Sequence, residues 1–103
     1  MMARSKSYQE GLIEALKDPR EAAEYLNAAI EEGERDLFLL ALRNVAEARL
    51  GGMAQLAEQA GLNRESLYRM LSEQGNPALS SLDKLLHALG LRLSIEVDTT
   101  KVA

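Results

Sequence analysis

Apolar residues recur three and four positions apart along most of this chain, and change to strict alternation only near its end. From Pro19 to about Glu32 the positions Ala22, Ala23, Leu26, Ala29 and Ile30 fall on one face of a 3.6-residue period, predicting an amphipathic helix. Asp18 fits its N-cap, Pro19 its first helical position and Glu21 the far corner of a capping box, with Gly33 as the break. A second helix is predicted beyond it, with Leu37, Phe38, Ala41, Val45 and Ala48 on one stripe and Gly51-Gly52 at its end. Two shorter runs follow. The first, from Met53, carries Leu56, Ala57 and Ala60 inward; the second, from Arg64, carries Leu67, Met70 and Leu71. Between them Gly61 suits a left-handed turn and Asn63 an N-cap. The loop Ser72-Glu73-Gln74-Gly75-Asn76-Pro77 then leads to a helix from about Ser80 or Ser81 with Leu82, Leu85, Leu86 and Leu89, stopped by Gly90. Ahead of Asp18, residues Leu12, Ile13 and Leu16 suit one or two helical turns, or a segment that orders on a partner.

The alternation comes last. Leu91, Leu93, Ile95 and Val97 interleave with Arg92, Ser94 and Glu96, the period of a half-buried strand. A lone strand leaves its own backbone unpaired, so three arrangements are open: pairing with the same strand of a second copy, which is preferred, addition to a partner's sheet edge, or packing as a tail on the last helix.

The stretch from Met53 to Leu71 has the spacing of two crossing helices: a small residue at Ala57, a turn at Gly61 and an apolar plug at Leu67. That is the pattern of a DNA-binding helix-turn-helix, and also of an ordinary helical corner in a small bundle. In the first reading Arg64, Glu65, Tyr68 and Arg69 face outward toward a groove.

The order of this motif, the Gly75-Asn76-Pro77 loop and a leucine-rich helix ending in Ala88-Leu89-Gly90 looks like a DNA-binding domain of the Cro/repressor type. From roughly Asp18 to Val97 the chain further resembles the small antidote proteins of bacterial addiction (toxin–antitoxin) modules. Met53 stands where Cro-type domains commonly carry a phosphate-contacting Gln, and Gln55 is the nearby substitute. The resemblance implies an all-α fold of five or so short helices of the repressor-like type with a C-terminal β-strand. It also implies a protein that neutralises a cognate RelE/ParE-like toxin by direct binding and represses its own operon as a homodimer on operator DNA. Arg64, Glu65 and Arg69 occupy the base-reading positions, where Arg suits guanine and Glu suits cytosine N4. Ser66, Tyr68 and Gln55, with the loop amides around Gly75 and Asn76, would contact phosphates. Tyr68 as a packing ring and Glu65 paired with Arg69 one helical turn on are the plainer alternatives. Leu91, Leu93, Ile95 and Val97 would form the dimer or partner strand. Two other functions fit the same residues: a stand-alone helix-turn-helix regulator without a toxin, and a protein-binding module whose motif no longer touches DNA.

Length and composition narrow this. At 103 residues one domain is expected, burying about 65% of its unfolded surface, and a partner or second copy would help it. The expected division is an N-terminal segment 1–17, a helical domain 18–97 and a tail 98–103. There is no cysteine, which removes disulfides and thiolate metal sites. The N-terminus lacks an apolar signal region and no window suits a membrane span, so a cytoplasmic protein is expected. The net charge of −4 opposes DNA binding, yet ten of the sixteen acidic residues lie in positions 1 to 50. The helix from Arg64 carries two Arg against one Glu, so the field is least unfavourable there, and affinity is expected to be salt-sensitive. No enzyme, metal site or cofactor is expected. His87 is the single histidine and suits a surface position, Ser80, Ser81 and Asp83 suit helix capping, and the Glu31-Glu32-Gly33-Glu34 run suits a solvated junction.

Overall fold

The computed structural model describes residues 6–72 and 74–100, which form six helices: α1 (Lys6–Ala15), α2 (Pro19–Glu32), α3 (Arg35–Leu50), α4 (Met53–Ala60), α5 (Arg64–Met70) and α6 (Leu79–Ala88). The local chemistry sets most of their ends. The Asp18 carboxylate accepts from the Arg20 N–H at 2.8 Å and Pro19 occupies the first turn, which starts α2. Glu21 closes no capping box, because the Asp18 N–H that it would receive is already donated to the Ala15 carbonyl at 3.2 Å. The short link between α1 and α2 takes over that role, and it brings Leu16 into the core at 2% exposure. At the other end of the chain α6 begins at Leu79, capped by the extended backbone of Ala78 without a side-chain bond, so Ser80 and Ser81 lie inside the helix rather than at its cap.

The core is organised on α3 and α4. Helix α3 packs against α1, α2 and α4, and α4 against α3, α5 and α6. Being enclosed on several sides, α3 buries a broader stripe than its periodicity suggests: Leu39, Ala41, Leu42, Val45 and Ala46 are buried, while Leu37 is exposed and Phe38 and Ala48 are half-buried. On α2 the buried positions are Ala22, Leu26 and Ala29, and Ile30 is 53% exposed beside the C-terminal segment. Leu56, Leu67, Leu71, Leu85 and Leu89 complete the interior, so one core spans all the described helices after α1 and takes in Leu16 from its end.

Two arginines of α3 tie distant helix ends to this core. Arg49 donates through Nε to the Leu89 carbonyl at 2.7 Å and through Nη1 to the Lys17 carbonyl at 2.8 Å. Arg43 donates through Nη1 to the Leu71 carbonyl just past α5. Carbonyls at helix ends lack an intrahelical donor, and a cation there also complements the helix dipole.

The expected C-terminal β-strand is not present. The described residues contain no strand, and residues 91–98 run without regular secondary structure after Leu91 donates its N–H to the Leu86 carbonyl at 2.8 Å. Alternating hydrophobicity decides which side chains share a face, but a strand exists only where a neighbouring backbone completes its ladder, and a chain of helices offers none. No helix among the described residues is long and apolar enough to cross a membrane.

Burial separates two neighbouring leucines of α3. Leu42→Ala, at 0% exposure, is expected to cost about 2–5 kcal/mol, and Leu40→Ala, at 43% exposure, clearly less. Urea unfolding of both variants checks the difference.

Candidate nucleic-acid interface

Helices α4 and α5 are joined by three residues whose conformations follow from their chemistry. Gly61 takes φ 70°, ψ 34°, a region closed to most side chains by Cβ contacts, and its N–H is donated back to Glu58 at 3.2 Å. Leu62 then donates to the Ala57 carbonyl at 2.9 Å, which satisfies the last turn of α4 and fixes the exit angle. Asn63 is extended and its Oδ1 accepts the Ser66 N–H at 3.1 Å, so α5 starts on a side-chain cap. Inward, Leu67 is fully buried and Leu71 nearly so, with Met70 half-buried.

The far end of α5 is equally constrained. Ser72 Oγ donates to the Arg69 carbonyl at 2.8 Å, and Gly75 donates its N–H to Ser72 at 2.8 Å. A Cβ at Gly75 would stand 1.9 Å from the Met70 carbonyl oxygen, so only glycine lets the loop fold this closely against the helix end. In the sequence Gly75 reads merely as a loop marker, because close approach of two backbones leaves no periodic signal.

With its inner side occupied, α5 presents Arg64, Glu65, Tyr68 and Arg69 outward, all exposed. Among the described residues no ion pair involves Arg64, Glu65 or Arg69. Tyr68 is 50% exposed and lines a shallow hollow with Met53, Gly51, Gly52, Arg43 and Asn44. Gln55 and Arg64 meet in a second hollow between the two helices, whose rim also carries Glu58. Gln55 lies close over the glycine pair, its Oε1 3.4 Å from where a Cβ on Gly52 would be. Ser66 lies off the exposed face, half-buried, with its N–H committed to Asn63. Asn76 is exposed after Gly75 and belongs to neither hollow.

Sequence periodicity missed Arg43 and Asn44. Both sit on α3 behind Tyr68, and Asn44 is held by the Tyr25 hydroxyl, to which it donates at 2.9 Å, and by Gln9, from which it accepts at 3.2 Å. Polar residues on a long helix look solvated in one dimension; only the packing of α1 and α2 against α3 brings these together. His87 lies 3.8 Å from Asp83 with both side chains largely exposed. Among the described residues no group of three or more His, Cys, Asp or Glu side chains is placed to hold a metal.

Comparison with known proteins places this geometry in context. Residues 8–97 match the model of a family described as "Probable addiction module antidote protein". An uncharacterized protein of Haemophilus influenzae is 39% identical over 85 residues, covering 82% of this chain and 86% of the relative. No solved structure matches.

The Asn63 cap is the most local support of α5. Asn63→Ala is expected to destabilise the protein by about 0.5–2 kcal/mol, whereas the exposed Arg64→Ala should stay within about 0.5 kcal/mol. Thermal or urea unfolding of the two variants provides the check.

Proposed function

The chain belongs to the family of probable addiction module antidote proteins, and on that basis we propose that it neutralises a cognate RelE/ParE-like toxin by direct binding and represses its own operon. In this reading α4 and α5 are a helix-turn-helix, with α5 entering the major groove of operator DNA. The observation that carries it is the division of α5 into two sides: Leu67 and Leu71 hold it to the core, while Arg64, Glu65, Tyr68 and Arg69 stay exposed with none of the three charged groups in an ion pair.

Arg64 and Arg69 suit the N7/O6 edge of guanine and Glu65 suits cytosine N4, so G·C pairs are expected in each half-site. Gln55, Ser66, Tyr68 and Asn76 contribute phosphate contacts. The protein acts as a two-fold dimer, which sets two such helices about 34 Å apart, one turn of duplex. It works in the cytoplasm, where DNA and toxin are both available, and carries out no catalysis of its own. Ten of the sixteen acidic residues fall in positions 1 to 50, so α1 to α3 suit a basic toxin, and the toxin in turn offsets the −4 charge that opposes DNA binding.

Binding to DNA from upstream of its own gene, at two salt concentrations, tests the repressor half. Removal of both guanidinium groups in Arg64→Ala/Arg69→Ala is expected to weaken specific binding by about 1–3 kcal/mol per side chain and to flatten the salt dependence. The same variant should still rescue cells that express the toxin encoded beside it. Absence of specific, salt-dependent binding by the native protein would remove the repressor role, and absence of a complex with the neighbouring gene's product would remove the antidote role.

A further inference from the structure

We propose that the hollow between α3 and α5 binds a phosphate of the DNA backbone, with Arg43 as its cation and the Tyr68 hydroxyl as a second donor. The proposal rests on the DNA-binding reading above and assigns to it a residue outside α4 and α5.

The first observation is the setting of Arg43. It lies on α3, half-buried, and lines the hollow together with Tyr68 of α5. Its Nη1 donates to the Leu71 carbonyl, which fixes the guanidinium beside the end of α5. A guanidinium carries several donors in a planar fork, so one such bond leaves others for a second acceptor. Among the described residues no ion pair involves Arg43, and its charge is therefore not neutralised within the protein. A cation anchored in this way needs little further ordering to hold an anion.

The second is the rest of the lining. Asn44 donates to the Tyr25 hydroxyl and accepts from Gln9, which holds it back on the α3 side. Gly51 and Gly52 put no side chain into the hollow, which encloses about 430 Å³, ample for one phosphodiester group. Leu40 and Met53 give it an apolar wall, which suits the deoxyribose beside a phosphate. Glu47 is the acid among the lining residues, and it is exposed, where water and salt screen it.

The third is placement. A helix inserted in the major groove has the sugar–phosphate walls along its flanks, and contacts to those walls position a protein without reading sequence. Tyr68 joins the two surfaces, since it stands exposed on α5 with Arg64 and Arg69 and also lines the hollow. Arg43 is thereby a third cation next to the two arginines of α5, in a chain whose net charge of −4 opposes DNA binding.

A phosphate contact and a purely structural role differ in which DNA they affect. Loss of a phosphate contact weakens binding to all sequences alike and lowers the salt dependence, whereas a loosened α5 harms the specific site alone. In the full chain, Arg43→Gln is expected to weaken binding about tenfold at about 0.1 M salt, both to DNA from upstream of the gene and to an unrelated duplex of the same length. The slope of log affinity against log salt should fall by about 1 in both. Arg43→Lys retains the charge and is expected to keep the native slope. Tyr68→Phe should weaken both duplexes about two- to fivefold, and Glu47→Gln should strengthen both by a similar factor, about two- to fivefold. A native slope in Arg43→Gln, or a loss confined to the upstream DNA, would overturn the site and leave Arg43 as a support of α5, with the repressor reading standing. Unchanged DNA binding together with a weaker complex with the neighbouring gene's product would overturn it in favour of a protein contact. A native protein that binds neither duplex would overturn the site and the repressor reading together.

Discussion

Arg49 stands where three helices end together. Its Nε reaches the Leu89 carbonyl at the close of α6, and its Nη1 reaches the Lys17 carbonyl between α1 and α2. Helix termini leave carbonyls without donors, and burial would make each of them costly. A planar guanidinium with several donors can serve two at once, which a lysine ammonium on a flexible stem does less well. The first and last helices are therefore registered against the same residue of α3. Gly90 beside this contact takes φ 82°, which favours glycine, and a Cβ there would also stand 3.1 Å from Arg49 Nη2.

From α3 the constraint passes outward to α5. Helix α5 has seven residues, too few to persist alone in water. It is held by Leu67 in the core, by Asn63 at its start and by Arg43 at its end. The Gly75 loop closes against the same end. With its inner side, both termini and its following loop all occupied, the remaining face is free to be polar, and it is there that Arg64, Glu65, Tyr68 and Arg69 stand. Rigidity of a short element by its surroundings is what lets it present side chains in a defined array.

Charge is unevenly divided along the chain. Positions 1 to 50 hold ten of the sixteen acidic residues, and α5 has more basic than acidic side chains. The C-terminal segment lies beside α2 and α6, in a groove that shares no lining residue with the hollows around Gln55 and Tyr68. The groove and the two hollows are therefore separate surfaces of the molecule.

Much of this was legible in one dimension. Caps and turns act over three or four residues, so Asp18, Gly33, Gly61 and Asn63 mark their helix ends correctly, and the inward Leu56, Ala57 and Leu67 follow from period alone. The outward set on α5 is the complement of that stripe and was readable for the same reason. Tertiary packing decided the rest. Leu39, Leu42 and Ala46 are buried because α3 is enclosed on several sides, and Ile30 stays exposed in the groove beside the C-terminal segment; a single helical period assumes one buried face and cannot distinguish these. The part played by Arg43, Arg49 and Gly75 depends on carbonyls and backbone far away along the chain. The alternation of Leu91, Leu93, Ile95 and Val97 was plain, yet it specifies only which side chains share a face, and whether a strand forms is decided by a second backbone that one chain's local pattern does not contain.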